Sequence, residues 1–310
     1  MRYDDFRRSD NIDDRRDDEG GGGMGGGFGI PMGGGGGLGI GTIIVLGLIG
    51  WAVGIDPRIL IGGAEILTGG GGQAPSYQSD RSTTPPRKAG APSDEMGSMI
   101  AGVLGEIDDR WTEIFRESGG RNYVGPRIVL FRNVTNGGRC GRAQSAMGPF
   151  YCPPDRQIFL DTGFFREVET KFRGCSGSAC KFTAAYIIAH EAGHHIQNLL
   201  GILDRAQQMQ QQARSQAEAN AIQVRVELQA DCFSGVWVNR EQKKRPGFLE
   251  PGDIDAALQT AAAIGDDTLQ RRTQGRVVPD SFTHGSAAQR KQWFMTGYQS
   301  GTVAACNTFQ

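Results

Sequence analysis

Histidine is scarce in this chain, with four residues in 310. Net charge is scarcer still: 33 Lys and Arg stand against 34 Asp and Glu, leaving no basic surplus to hold a nucleic acid. No C-x-x-C pair occurs among the six cysteines, and their spacings match no common zinc knuckle or ribbon. Gly is abundant at 48 residues but follows no triplet period, which excludes a collagen-like rod. Long apolar runs are absent too, with one exception at residues 38–55.

What is present divides the chain. Residues 1–19 (MRYDDFRRSDNIDDRRDDE) mix five Arg with eight acids, and a Gly-rich stretch follows. Such composition cannot offset chain entropy by burial, so 1–37 reads as a disordered charged and Gly-rich tail. From Gly20 to Ile55 there is no charge, and LGIGTIIVLGLIGWAVGI (38–55) gives 18 apolar residues, about the length of a hydrocarbon core. A secretory signal peptide would have a shorter lead and a cleavage site. A buried core helix would need a domain around it. A single-pass transmembrane helix fits best. Arg58 is the only base in the next 20 residues, so the bias of Arg predicts a cytoplasmic N-terminus and an exported remainder. Gly50 and Gly54 form one GxxxG, a weak hint of homo-association. Residues 56–92 read as a Gly/Ser/Pro-rich linker, and 93–310 as one domain large enough for a sizeable core.

All six cysteines (Cys140, Cys152, Cys175, Cys180, Cys232 and Cys306) fall in that domain. The even number and two close pairs, Cys140 with Cys152 and Cys175 with Cys180, suit disulfides in an oxidising compartment. Scattered buried thiols are the alternative. Helical spacing of apolar residues follows Ser93, a candidate N-cap, up to Gly119. RIVLF (127–131) and QIFLD (157–161) suit strands. Helical patterns then cover 181–200, 222–242, the stretch after PGD (251–253), and the stretch after Ser286. A few strands followed by helices argue an α+β fold, mainly helical with a small sheet.

Three of the four histidines lie in HEAGHH (190–195). On a helix, His190 and His194 stand about 40° apart around the axis, so both imidazoles can reach one ion. Glu191 is offset by about 100°, beside the metal's open position, where it can act as general base. His195 lies about 100° from His194 and is a poor ligand. A catalytic zinc needs a third protein ligand. ELQAD (227–231) offers Glu227 as that ligand and Asp231 as the acceptor for an imidazole N–H. The apolar neighbours Val224, Val226, Leu228, Ala230, Cys232, Phe233, Val236 and Trp237 place these carboxylates on a mostly buried helix, where they need partners or a metal.

Here a resemblance enters. HEAGH followed by ELQAD resembles the Glu-zincin pattern. AMGPFYCPPDRQIFLD (146–161), AAYIIAHEAGHHIQN (184–198), VELQADCFSGVW (226–237) and SFTHGSAAQRKQWFMTGYQSG (281–301) together resemble the bacterial putative neutral zinc metallopeptidases. The resemblance covers about 90–310 and the short polar N-terminus with its anchor. It implies a zincin-like domain, one Zn²⁺ per chain, and hydrolysis of peptide bonds in a peptide or protein substrate. It also implies a place in the inner membrane with the catalytic domain extracytoplasmic. His284, in FTHGS, is either a turn residue before the last helix or, as in other Glu-zincin membrane proteases, a group near the metal that supports the oxyanion, with Arg290 as helper. The strand at 157–160 is expected to pair with extended substrate, as in related zincins. The alternative is a non-catalytic, membrane-tethered zinc-binding scaffold of the cell envelope.

Overall fold

The computed structural model describes residues 1–18, 92, 94–119, 122–170, 175 and 179–309. The expected transmembrane helix at 38–55 lies outside the described residues, as does the linker at 56–92 apart from Pro92. Among the described residues no helix is long and apolar enough to cross a membrane.

The sheet is built from the apolar runs legible in the sequence. β2 (Arg127–Phe131) and β6 (Gln157–Asp161) pair in parallel, Ile128 opposite Ile158 and Leu130 opposite Leu160. Both runs are continuously apolar because both sheet faces are covered. Ile128, Leu130, Ile158 and Leu160 join the main helical core. Val129, Phe131 and Phe159 face a smaller cluster with Cys152 and Ala143. That second face is closed by the hairpin of β3 (Val134–Asn136) and β4 (Arg142–Gln144), tied down by the Cys140–Cys152 disulfide. β5 (Phe150–Cys152) runs antiparallel to β6 and forms one edge, so the sheet order is β1-β2-β6-β5. The strand expected at the substrate edge, 157–160, is therefore interior. The edge is β5.

The opposite edge corrects a second expectation. Residues 1–18 are folded onto the domain, with β1 (Ile12–Asp14) parallel to β2. Ile12 and Phe6 are buried. α1 (Glu95–Glu117) accepts this segment in a groove: the Ala101 carbonyl receives the Ser9 N–H, and a Cβ on Gly105 would stand 1.8 Å from the Arg7 carbonyl. Gly in a helix interior costs about 1 kcal/mol, and here it permits the close approach. Charge read as solvation is instead paired, Arg7 with Asp109, Arg15 with Asp13, and Arg16 with Asp14 and Asp94. Strands in one sheet share one side of any membrane. The expected N-terminus-in, domain-out arrangement turns on residues 38–55, which lie outside the described residues.

The helices follow. Asp94, not Ser93, caps α1 by accepting from the Gly97 N–H. α2 is Gly163–Thr170, α3 Ala179–Leu199, α4 Ile202–Gln211 and α5 Gln216–Lys244. α6 (Asp253–Ala263), α7 (Asp266–Gln274) and α8 (Ala287–Ser300) complete the set, with Ser286 capping α8 through a capping box with Gln289. α5 is the central helix, packed against α3, α4 and α8. The three disulfides are Cys140–Cys152, Cys175–Cys180 and Cys232–Cys306, and no cysteine among them is free.

Candidate metal centre

α3 and α5 carry the site, and their approach is set by small residues. A Cβ on Gly193 would stand 3.0 Å from both the Cα and the carbonyl oxygen of Ala230, so Gly lets the helices meet here without pressing on the α5 backbone. Ala230 lies between Glu227 and Asp231, so this contact brings the two motifs face to face.

His190, His194 and Glu227 each turn one donor atom to a common point, all within 4.8 Å of one another. His190 Nε2 is 3.2 Å and His194 Nε2 3.5 Å from Glu227 Oε2. Two ligands of a tetrahedral zinc, each about 2.05 Å from the ion, stand about 3.4 Å apart. The donor set and its spacing therefore fit zinc. Both imidazoles are anchored through Nδ1: His190 to Asp231 Oδ1 at 2.8 Å, His194 to Gln197 Oε1 at 2.9 Å. With Nδ1–H so engaged, each Nε2 presents its lone pair to the centre.

Asp231 is fully buried and holds four bonds: from Tyr186 Oη (2.6 Å), His190 Nδ1 (2.8 Å), Arg290 Nε (2.8 Å) and Arg290 Nη2 (2.9 Å). Burial works against its charge, but the Arg290 guanidinium and His190 hold its pKa well below the usual carboxylate range. Burial likewise opposes charge on His190, yet Asp231 and the hydrogen bond to Glu227 carry its pKa up to about 10. Glu227 is held well below its ordinary range, chiefly by His194 and His190 against burial. Carboxylates that hold imidazoles this firmly provide the negative charge that a divalent cation needs once it displaces those protons.

Glu191 stands beside the cluster, 7 % exposed, and burial raises its pKa above the ordinary 4.5 against the pull of His194 and His190. A carboxylate tuned upward holds a proton more readily than a free one, as a group that takes up a proton from water needs to. Arg290, expected near the oxyanion, makes its bonds inward to Asp231 and is 2 % exposed, so it acts by fixing that carboxylate. His284 sits at the turn before α8, its backbone N–H donating to Asp266 Oδ2 and its Nδ1 2.9 Å from Thr283 Oγ1. It is outside the ligand trio, but near enough that its charge helps lower the Glu227 pKa. His195 is no ligand. Buried completely, it receives Tyr151 Oη at Nδ1 (2.9 Å) and donates to the Val124 carbonyl (2.7 Å), joining edge strand β5 to α3. Burial takes its pKa down to about 4.

Three supporting residues escaped sequence reasoning: Gln197, Tyr186 and Gln223, whose Nε2 donates to Glu227 Oε1 at 2.9 Å. Each lies three or four positions from the residue it serves or from its neighbour in the motif, so helical spacing is the signal that finds them.

A sequence model of the family described as "Putative neutral zinc metallopeptidase" matches residues 1–309. The chain is 44% identical over 310 residues to the "Uncharacterized protein YpfJ" of Escherichia coli K12, covering 100% of this chain and 99% of that protein. It is 48% identical over 196 residues to the "Uncharacterized protein Rv2575" of Mycobacterium tuberculosis H37Rv, covering 60% of this chain and 63% of that one. No solved structure matches the chain.

Proposed function

The chain belongs to the Putative neutral zinc metallopeptidase family, and from that premise we propose that it is a zinc-dependent endopeptidase with Glu191 as its general base. The observation that carries this reading is the convergence of His190, His194 and Glu227 on one point with Glu191 beside it. A structural zinc site is closed by four protein ligands and leans to cysteine. Here the six cysteines are paired elsewhere, and three ligands leave a position open. That favours a hydrolase over the scaffold reading.

Zinc, when bound, would supply Lewis-acid polarisation of a peptide carbonyl and acidify water. The residues do the rest. His190 and His194, locked in one tautomer by Asp231 and Gln197, keep their Nε2 lone pairs inward. Glu191 takes a proton from the attacking water and delivers it to the leaving amine. His284, near enough to act on the Glu227 carboxylate, is the group proposed to donate toward the developing oxyanion. β5, the antiparallel edge fixed by His195 and by the Cys140–Cys152 disulfide, takes an extended substrate by strand pairing.

Residues 1–18 travel with the domain, since β1 belongs to its sheet. The three disulfides favour an oxidising, extracytoplasmic location for both. Contact with the membrane is proposed through 38–55. Zinc analysis of the purified full chain, with a chelator-reversible cleavage assay on a peptide library, tests the function. About one zinc per chain and chelator-sensitive cleavage are expected. Metal-free protein, or cleavage indifferent to chelator, would refute it.

A further inference from the structure

His194 depends on an acceptor that has a wrong way round. Its Nδ1–H is received by Gln197 Oε1, an amide and not a carboxylate. Rotated by half a turn, that amide would present its NH₂ instead, forcing the proton of His194 onto Nε2 and removing the lone pair from the centre. Asp231 has no such failure, because both its oxygens accept.

The amide is sorted by what its nitrogen meets. Gln197 Nε2 donates to the Val226 carbonyl (2.8 Å) and to Gln229 Oε1 (3.0 Å). Gln229 is itself sorted, since its Nε2 donates to the Cys306 carbonyl (2.8 Å). Gln197 is fully buried and Gln229 is 6 % exposed. The sense of Gln197 is therefore fixed directly by the Val226 carbonyl and, through Gln229, by the Cys306 carbonyl, two backbone groups that can only accept.

The Cys306 carbonyl belongs to a C-terminal strap, the 3₁₀ turn Val303–Cys306 and the residues after it. The strap is held to α5 by the Cys232–Cys306 disulfide, closed across 74 residues, and by Thr308 Oγ1 donating to the Arg225 carbonyl at 2.7 Å. A cavity of about 390 Å³, lined by Leu200, Phe233, Val303, Phe309, Gln229 and Cys306, lies along it.

We propose that Gln197 positions His194, and that its orientation, fixed by the Val226 carbonyl, is reinforced through Gln229 by the disulfide-held strap, so that reducing Cys232–Cys306 removes one of the two holds on the second metal ligand. This rests on the reading of His190, His194 and Glu227 as a zinc site. In the reduction, a dithiol gives two electrons and two protons, the S–S bond breaks to two thiols, and the dithiol leaves as its cyclic disulfide. The Cys306 carbonyl is then free to drift from Gln229, and Gln197 keeps only the Val226 carbonyl to fix its sense.

The test is zinc affinity of the full chain, read by competition with a chromophoric chelator. Gln197→Leu should weaken binding by about 10- to 100-fold, the scale of changes to groups that orient ligands. Gln229→Leu, and the pair Cys232→Ser with Cys306→Ser, should each weaken it by less than Gln197→Leu does, since the Val226 carbonyl still holds Gln197. Cys175→Ser with Cys180→Ser, which removes a disulfide at the start of α3 by the same chemistry, should leave it unchanged. In the Gln197→Leu background the Cys232/Cys306 serine pair should cost nothing further, because no amide is left to orient. Wild-type affinity in Gln229→Leu and the serine pair, with zinc still bound by wild type, overturns this proposal and leaves the metal site standing. An equal loss from the serine pair in the Gln197→Leu background overturns it as well, because the strap would then act by general loosening. Wild type that binds no zinc overturns both readings.

Discussion

Replacing Asp231 by Asn changes one oxygen for one nitrogen, yet it disturbs four bonds at once. The carboxylate receives Tyr186, His190 and two guanidinium N–H groups, and it is fully buried. An amide offers one accepting atom, and its NH₂ faces donors. Arg290, 2 % exposed, is left without its counter-charge. Removing one partner of a buried ion pair costs about 3–5 kcal/mol. For a domain of this size that is a fall in Tm of roughly 6–20 °C, at about 2–4 °C per kcal/mol. His190 also loses the acceptor that fixes its tautomer, so zinc affinity should fall about 10- to 100-fold. The two effects separate in a second variant. Arg290→Met, added to Asp231→Asn, removes the orphaned charge and should restore a large part of the Tm while zinc stays weakly bound. Calorimetry and chelator competition read the two quantities. A single Asp231→Asn variant within about 1 kcal/mol of wild type, with unchanged zinc affinity, would refute the reasoning from these four bonds.

Other outcomes follow from single contacts. Gly193→Ala forces a methyl to within 3.0 Å of the Ala230 backbone; overpacking of this kind costs about 1–3 kcal/mol, and by parting α3 from α5 it should lower zinc affinity too, so a variant with both quantities unchanged would discount the close approach. Glu241 is buried beside Glu106, Arg110 and Arg245, and burial, with Glu106 adding to it, raises its pKa from 4.5 to about 7. Its native state gives up a proton less readily than its unfolded state, so this residue lowers stability as pH rises from about 4.5 to 7; Glu241→Gln should raise Tm at pH 8 and scarcely move it at pH 4, whereas identical shifts at both would contradict the assignment. Because β1 lies in the domain's sheet, compartment reporters placed at residue 1 and after residue 310 should report the same side of the membrane, and opposite sides would contradict the β1–β2 pairing.

Much of the site was legible because helical periodicity does the geometric work. His190 and His194 on one helix, and Glu227 and Asp231 on another, need only one crossing to meet. The two central strands were legible as continuous apolar runs. The N-terminal segment was not, because it buries little beyond Met1, Phe6 and Ile12 and docks mainly through ladder bonds and ion pairs. Eight acids among five Arg look the same in water as on a complementary surface. β5 was missed because three residues, FYC, are too short for a period, so the edge was assigned to its neighbour. The role of Arg290 could not be read from its spacing after His284, since Asp231 approaches it from another helix. Gln197 and Gln223 carry no charge that would mark them, and only their helical offsets point to the ligands.

The most direct measurement compares wild type with Glu191→Gln at matched zinc occupancy. The substitution keeps the size of a residue that is not a ligand, so zinc content should be unchanged. Chelator-sensitive turnover of a peptide library should fall by about 10²-fold or more, the scale of general-base catalysis. Equal turnover in the two proteins would remove Glu191 from the chemistry and contradict the assignment of this centre as a peptidase site.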